Sequence, residues 1–360
     1  MKILFGSDIS VKEETNCIKY FAEQNAEAIF TDVLPVLKSA DAVVVNLECA
    51  ITESNHEIQK YGPNIKAPFG TAETLKKAGI DYVGIANNHV FDFGKPGLYD
   101  TINELEKNDI KYTGIGENLL DARKDLIIEK DGKKIAIIAV AEHEFSIALE
   151  DRVGCREYDP YDTNDDIVEA KKNADYVVVM YHGGKEHCRY PSPRLVKACR
   201  SMVKHGADLV LCQHTHCIGC YEDFMGGHIV YGQGNFVFVS PQPDKTDLWN
   251  TCLLVEADFG DKLNVDFIPV RVNGKEGITL CKGEDKETIL KEFFDRSKSM
   301  KDGSWKQGWL DFVNSPGLGW YKIIPEEKKF RLGAFIACEA HLDMLKEFYP
   351  TWNETNEKDD

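Results

Sequence analysis

The chain has 360 residues, 43% of them hydrophobic and 29% charged, which is typical of a globular protein that buries a sizeable core. Its 60 acidic and 43 basic residues give a formal net charge of −17, so we expect no nucleic-acid partner, because such a partner requires a basic face. The eleven cysteines contain no pair of CxxC units at zinc-ribbon spacing, and we interpret them as reduced thiols of a cytoplasmic protein.

Short β-branched runs alternate with helix-like segments from the N-terminus onward. The runs are KILF, DAVVV, DYVGIA, KKIAIIAV, DYVVVMY and DLVLC, and continuous apolar runs of this kind predict strands buried on both faces. Between them, TAETLKKAG ends at Gly79, and PSPRLVKACRSMVKHG opens with prolines and ends at Gly206, as helices do. The alternation predicts an α/β architecture.

From about residue 229 the predicted strands follow one another without helices, in HIVYGQGNFVFVS, WNTCLLVEADFG and KLNVDFIPVRVNG. This run predicts antiparallel strands that complete a second sheet. We divide the chain into a domain of residues 1–274, a helical extension of residues 275–350 packed on it, and a polar tail of residues 351–360. No apolar run approaches the roughly 18 residues needed to cross a bilayer, which predicts no transmembrane segment.

Polar side chains follow five of the predicted strands at the point where each strand ends. They are Asp8, Asn46, Glu48, Asn87, Asn88, His89, His182, His214 and His216. Any one of them would more often be a turn former or a cap. Because ligands of open α/β sheets bind at the carboxyl ends of the strands, we expect the whole set to converge. Mixed carboxylate, amide and imidazole groups in this number exceed one tetrahedral zinc site and suit two divalent ions that share a carboxylate.

Five motifs carry a resemblance to a known family. NLECAIT, IANNHVFDFG, YHGGKE, GADLVLCQHTH and IVYGQGNFVF resemble, in order and over roughly residues 1–245, the CapA family of poly-γ-glutamate capsule-synthesis proteins. The resemblance implies the calcineurin-like metallophosphoesterase fold, a four-layer α-β-β-α sandwich of two mixed sheets covered by helices. The sequence pattern by itself also fits a (β/α) barrel, which places its site at strand ends as well.

The resemblance implies a role for each matched position. Metal ligands are implied at Asp8, Glu48, Asn88, His182, His214 and His216, with Glu48 as the bridging carboxylate. His89 matches a histidine that acts on the leaving group without binding metal, and Asp92 is expected to orient its ring. Pocket-lining roles are implied at Asn46, Glu186 and Asn235.

The implied ligands predict two divalent metal ions as cofactors. Oxygen ligands together with three imidazoles favour manganese, iron or zinc over calcium. Such a pair of ions supplies an activated water, and a protonated His89 would neutralise the leaving oxygen. The chain departs from the usual pattern at Ser10, where many phosphoesterases have a histidine, at Gln213, where a glycine usually precedes the histidine pair, and at Gly183, where tryptophan is frequent.

The ligand set together with His89 predicts a metal-dependent hydrolase. Its expected substrate is a phosphoester or a glutamyl or peptide-like amide, either a small molecule or a polymer, with a link to poly-γ-glutamate or capsule biosynthesis. Two alternatives stay open: a non-catalytic assembly subunit whose metal site is structural or vestigial, and a metal-assisted peptide isomerase. The pattern makes no prediction about the oligomeric state.

Overall fold

The computed structural model describes residues 1–11, 15–60, 62–142, 145–239, 247–274 and 276–315. The strands are β1 (Lys2–Ser10), β2 (Ala42–Leu47), β3 (Ala50–Ile51), β4 (Lys66–Ala67), β5 (Tyr82–Gly84), β6 (Lys111–Thr113), β7 (Ile115–Gly116), β8 (Leu126–Lys130), β9 (Lys133–Ala141), β10 (Gly154–Cys155), β11 (Tyr176–His182), β12 (Leu209–Gln213), β13 (Tyr221–Phe224), β14 (Gly227–Val230), β15 (Asn235–Phe238), β16 (Thr251–Phe259), β17 (Leu263–Asn273) and β18 (Gly277–Leu280).

The helices are α1 (Asn16–Ala22), α2 (Ala26–Phe30), α3 (Leu34–Lys38), α4 (Thr71–Lys77), α5 (Gly94–Lys107), α6 (Leu119–Ala122), α7 (Asp162–Asn173), α8 (Pro193–Lys204), α9 (Asp247–Asn250), α10 (Gly283–Ser297), α11 (Ser299–Asp302) and α12 (Trp305–Val313). One turn of 3₁₀ helix covers Thr31–Val33. Helix α8 shows why such segments form: Ser192 accepts the Leu195 backbone N–H as an N-cap, proline occupies the first turn, and the apolar residues lie on one face.

The first sheet has eight strands in the order β18-β17-β16-β1-β2-β5-β6, with β15 also paired to β1. Strands β1, β2, β5, β6 and β15 run parallel to their partners in this group, whereas β16, β17 and β18 are antiparallel. The predicted antiparallel run is therefore only partly correct: its two later segments form β16 and β17, which extend the sheet of β1, whereas its first segment forms β14 of the second sheet and β15, which are parallel to β12 and β1. The reason is that β16 fills the open edge along Lys2–Phe5, beside the β15 segment that pairs with the other end of β1.

The second sheet has six strands in the order β13-β14-β12-β11-β9-β8. Its central strands β14, β12, β11 and β9 are parallel, and the edge strands β13 and β8 are antiparallel. The long apolar runs of β9, β11 and β12 are buried on both faces, as parallel strands between helices and a second sheet must be.

Two apolar clusters define the layers. One takes in Phe5 and Val44 of the first sheet and Ile137 and Leu211 of the second, and it extends to buried residues of α1 to α5. The other lies on the far face of the second sheet, where alternate residues such as Ile138 pack against α7, α8 and α12. The predicted four-layer α-β-β-α fold is confirmed.

Helices α10 to α12 follow the sandwich in the chain. Phe293 of α10 is fully buried, and its ring centroid lies 4.8 Å from that of Phe267 on β17. Residues from 316 onward, which include most of the predicted helical extension and the tail at 351–360, lie outside the described residues. The domain division at residue 274 stays a prediction. No helix in the described part of the chain has the length and apolar character needed to span a membrane.

Candidate metal centre

Parallel pairing aligns the predicted ligands at neighbouring strand ends. Asp8 of β1 stands opposite Asn46 of β2 on one side and opposite Asn235 of β15 on the other. In the second sheet, His182 ends β11 opposite Gln213, directly before His214. The register along β1 shifts at Asp8 on both sides, and such irregularities re-aim a side chain out of the regular pleat.

Three overlapping groups of side chains bring possible ligand atoms within 4.8 Å of one another. They are Glu48–His182–His214, Asp8–Glu48–His216 and Glu186–His214–His216. Glu48 belongs to two groups, so a bridging position is geometrically open to it. Within the part of the chain that the structure describes, none of these groups contains a cysteine.

Glu48 is a fully buried carboxylate whose two oxygens receive no hydrogen bond from any described residue. Two imidazole nitrogens lie near Oε1, His182 Nε2 at 3.3 Å and His214 Nδ1 at 3.9 Å. Burying a carboxylate without donors is strongly unfavourable, and buried charges are normally paired or bound to metal. The orphaned oxygens therefore fit a divalent cation.

Asp8 shares this buried site. Its Oδ1 accepts a hydrogen bond from Asn46 Nδ2 at 2.8 Å, and its Oδ2 accepts one from the backbone N–H of His214 at 3.0 Å. Burial, and then the charge of Glu48, raise the pKa of Asp8 well above its usual range. Burial also acts to raise the pKa of Glu48, but the imidazoles of His182 and His216 outweigh it and hold that pKa well below its usual range.

The histidines are poised in the form that binds metal. Burial lowers the pKa of His182 to about 4 and that of His216 to about 4, even though Glu48 acts in the opposite direction. Both rings are therefore neutral at pH 7, as a metal ligand must be. His182 Nε2 lies 2.9 Å from Asn88 Oδ1 and 3.3 Å from Glu48 Oε1, so it is close to two other implied ligands.

The histidine pair after β12 has a strained backbone. His214 has φ of +80° and His216 has φ of +54°, in the left-handed region that residues with a β-carbon rarely adopt. Such strain persists only where the surroundings fix it, and it is frequent at functional sites. His216 Nδ1 lies 2.8 Å from Asn235 Oδ1, and the ring of Trp249 lies 4.7 Å from the His216 ring.

The three residues predicted to line the pocket make different contacts with the implied ligands. Asn46 Nδ2 lies 3.2 Å from His182 Nδ1 as well as bonding to Asp8, so one amide links two implied ligands. The side chain of Asn235 orients the His216 ring through the contact of its Oδ1 with Nδ1. Glu186 is 41% exposed, and its Oε1 lies 4.0 Å from His214 Nε2, which places it in a candidate ligand group rather than only along the wall.

His89 and Asp92 form a buried pair beside this cluster. His89 Nδ1 lies 2.6 Å from Asp92 Oδ2. The same oxygen accepts the backbone N–H of Ile65 at 2.7 Å, and the other oxygen accepts the ammonium of Lys60. Lys60 is only 1% exposed, and it also donates to the Asn88 carbonyl at 2.9 Å. This carboxylate thus has a full set of protein donors.

Sequence reasoning missed two residues of this region, Lys60 and Trp249, and it placed Asn87 at the strand ends without a role. Lys60 and Trp249 stand in no motif, so nothing in the sequence identifies them. Asn87 stands in IANNH, and its side chain donates to the Leu47 carbonyl at 2.8 Å and accepts the backbone N–H groups of His89 and Val90. The amide therefore shapes the turn that carries Asn88 and His89.

The cysteines near the histidine pair are structural thiols. Cys212, Cys217 and Cys220 are fully buried. Burial raises the pKa of Cys217 and of Cys220 to about 12, so neither is a thiolate near neutral pH.

Two facing mixed sheets covered by helices, with carboxylates and imidazoles gathered at the strand ends, define a metallophosphoesterase-like α/β sandwich. The family model described as "Bacterial capsule synthesis protein PGA_cap" matches residues 2–240. The chain belongs to this family, and the resemblance drawn from the five motifs is confirmed.

Two curated relatives have similar sequences. Capsule biosynthesis protein CapA of Bacillus anthracis is 33% identical over 219 residues, which cover 58% of this chain and 53% of that protein. PGA biosynthesis protein CapA of Bacillus subtilis (strain 168) is 32% identical over 225 residues, covering 61% of this chain and 59% of that protein. The matches thus span just over half the length of these relatives. Among solved structures, a novel phosphatase from Mycoplasma pneumoniae aligns with 81% of this chain and 96% of its own, at a TM-score of 0.44 and 19% identity.

Proposed function

We propose that this chain is a metal-dependent hydrolase with a binuclear centre of manganese, iron or zinc. The observation that carries the proposal is the fully buried Glu48 carboxylate, which has no hydrogen-bond donor among the described residues and lies amid candidate ligands. The ions would be held by Asp8, Glu48, Asn88, His182, His214 and His216. When bound, two ions of this kind supply an activated water and stabilise charge on the attacking and leaving oxygens.

His89 is the proposed acid–base group. With Nδ1 held by Asp92 at 2.6 Å, Nε2 is the ring atom left to exchange a proton with the leaving group. Asp92 fixes the orientation of the ring, and Lys60 and the Ile65 N–H in turn fix Asp92. None of these groups is needed to hold a cation, so the proton-transfer unit is separate from the ligand set.

The proposed substrate is a phosphoester or a glutamyl or peptide-like amide. The sandwich supports the first, and the relatives named for capsule and PGA biosynthesis support the second and a link to that process. The cytoplasmic location and the lack of a nucleic-acid partner stay predictions.

A second candidate function is a non-catalytic assembly subunit. Ser10 favours it, because serine stands where many phosphoesterases have a histidine ligand. Its buried Oγ makes no hydrogen bond to the described residues.

The test is turnover by the full chain supplied with manganese, iron or zinc, on phosphomonoesters, phosphodiesters and γ-glutamyl amides. His89→Ala should lower turnover about 10²- to 10⁴-fold while the metal content stays the same. His205→Ala, at the exposed end of α8, is the matched control and should leave turnover unchanged. Turnover that survives in His89→Ala would refute the acid–base assignment, and no turnover on any substrate by a metal-loaded chain would favour the assembly subunit.

A further inference from the structure

A cleft is lined in part by segments that also carry residues of the candidate metal centre. Its wall includes three arginines, Arg189, Arg271 and Arg296, with Thr251 and Ile218. Such a concentration of guanidinium groups is unexpected in a chain whose formal net charge is −17.

Two carboxylates in the same wall do not balance the three arginines. Arg271 Nη2 lies 2.6 Å from Asp285 Oδ1, which is a close ion pair. Arg189 Nη1 lies 3.5 Å from Glu292 Oε2, at the outer limit of a hydrogen bond. Arg296 has no carboxylate within 4.0 Å among the described residues, and the described residues that line the cleft carry three positive and two negative side chains.

Arg296 is the most informative of the three. Its Nε donates to the Gly219 carbonyl at 2.9 Å and its Nη2 to the Ile218 carbonyl at 3.0 Å, while Nη1 has only a long contact of 3.5 Å to the Glu292 carbonyl. Neutral carbonyls orient a guanidinium but do not cancel its charge. Burial, with a smaller effect of Arg189, lowers the pKa of Arg296, which shows that the charged form is held at a cost. An anion in the cleft would offset this cost.

The cleft and the candidate metal centre share three loops. Ile218 follows His216 by two residues and Arg189 follows Glu186 by three, so their α-carbons lie within about 7 Å and about 11 Å of those site residues. Thr251 follows Trp249 by two residues, and the ring of Trp249 packs on His216. One substrate could therefore reach both places.

We infer that this cleft binds an anionic group of the substrate, a carboxylate or a phosphate, while the reacting bond lies at the metal centre. The inference rests on the proposed function and deepens it, because it assigns the substrate to the class of chains that carry a second negative charge near the cleaved bond. Arginine suits both anions, since its planar fork donates two parallel hydrogen bonds.

The test measures binding rather than turnover, so its failure is distinct from failure of the hydrolase proposal. Tri-γ-glutamate and inorganic phosphate are titrated calorimetrically into the full chain at low salt. We expect Arg189→Gln and Arg271→Gln each to weaken binding of the recognised anion at least about fivefold. Arg123→Gln is the matched control, because Arg123 is an ion-paired arginine of similar exposure (26% against 31%) outside the cleft, and it should bind like the parent.

The outcomes separate the sources of the anion. Arginine-dependent binding of tri-γ-glutamate alone supports a carboxylate, and arginine-dependent binding of phosphate supports a phosphate group. Binding that His216→Ala abolishes and neither arginine variant changes would place the anion at the metal centre and overturn the inference. Absence of binding by both probes would overturn it as well. Arg296 is left intact throughout, because its hydrogen bonds hold the 218–219 carbonyls.

Discussion

Glu48 and Asp92 are both fully buried carboxylates near the same strand ends, yet their surroundings are opposite. Asp92 accepts from the Ile65 N–H and from the Lys60 ammonium, and it faces His89 Nδ1 at 2.6 Å. Glu48 accepts no hydrogen bond from the described residues. The protein supplies hydrogen-bond donors for Asp92 but not for Glu48, and under the proposed function a divalent cation would bind Glu48.

The difference teaches how to tell a structural carboxylate from a ligand when burial is equal. Burial of a charge must be offset, either by donors within the protein or by something that binds. Asp92 has its donors, so its role is to hold a ring. Glu48 lacks such donors, so the stability of the fold around this carboxylate should depend on bound metal.

The largest effect is expected from Glu48→Gln. The loss of a bridging ligand should weaken metal affinity more than about 100-fold, so added manganese should no longer raise the unfolding temperature. Calorimetric unfolding with and without added manganese measures this effect. The matched variant Asp92→Asn should behave differently, lowering the metal-free unfolding temperature while added metal still stabilises. If manganese changes the unfolding temperature of the two variants equally, the distinction between Glu48 and Asp92 is wrong.

Lys60→Met tests the completed site. Removing one partner of a buried ion pair leaves Asp92 uncompensated, so the free energy of unfolding should fall by about 3 kcal/mol. Lys171→Met is the control, since Lys171 also pairs with an aspartate, Asp208, but its side chain is 36% exposed. It should cost less than about 1 kcal/mol in the same denaturant titration. Equal losses would show that Lys60 is not part of a buried network.

The pH dependence of the metal-free chain tests the histidines. The pKa of His182 and of His216 falls from 6.5 to about 4 on folding, so between these values the unfolded chain binds more protons. Stability should therefore fall as the pH is lowered from 6.5 to 4, and the raised pKa of Asp8 acts in the opposite direction. The double variant His182→Asn/His216→Asn should lose about 5 kcal/mol less than the parent over this window. Identical slopes would contradict the burial argument.

Glu186→Gln should have the smallest effect. The carboxylate is 41% exposed and approaches His214 only to 4.0 Å, so solvent already satisfies much of its charge. Metal affinity, measured by titration with a competing chelator, should weaken less than tenfold. A loss of metal affinity as large as that of Glu48→Gln would make Glu186 a primary ligand. It would then replace the histidine that many phosphoesterases have at the position of Ser10.

The sequence predicted the parts of this molecule that follow from local pattern. Apolar β-branched runs fixed the strands, and the carboxyl-end rule brought Asp8, Glu48, His182 and the histidine pair to one place. Pairing partners were harder to predict. The antiparallel strands β16 to β18 joined the sheet of β1 because an open edge along Lys2–Phe5 was available, and no local signal encodes that edge.

Long-range partners of single side chains were also out of reach. Lys60 reaches Asp92 from 32 residues away, and Trp249 reaches His216 from a segment without a motif. Glu186 was expected along the pocket wall, but its approach to His214 depends on how the loop after β11 folds back. Such contacts depend on tertiary geometry, which residue spacing does not specify.

The most direct test of the central claim is the metal content of the purified chain, measured by elemental analysis after manganese, iron or zinc is supplied, with Asp8→Ala and His216→Ala alongside. We expect about two ions per chain for the parent and fewer in both variants. Fewer than about 0.2 ions per chain in the parent would contradict the binuclear centre and favour the assembly subunit.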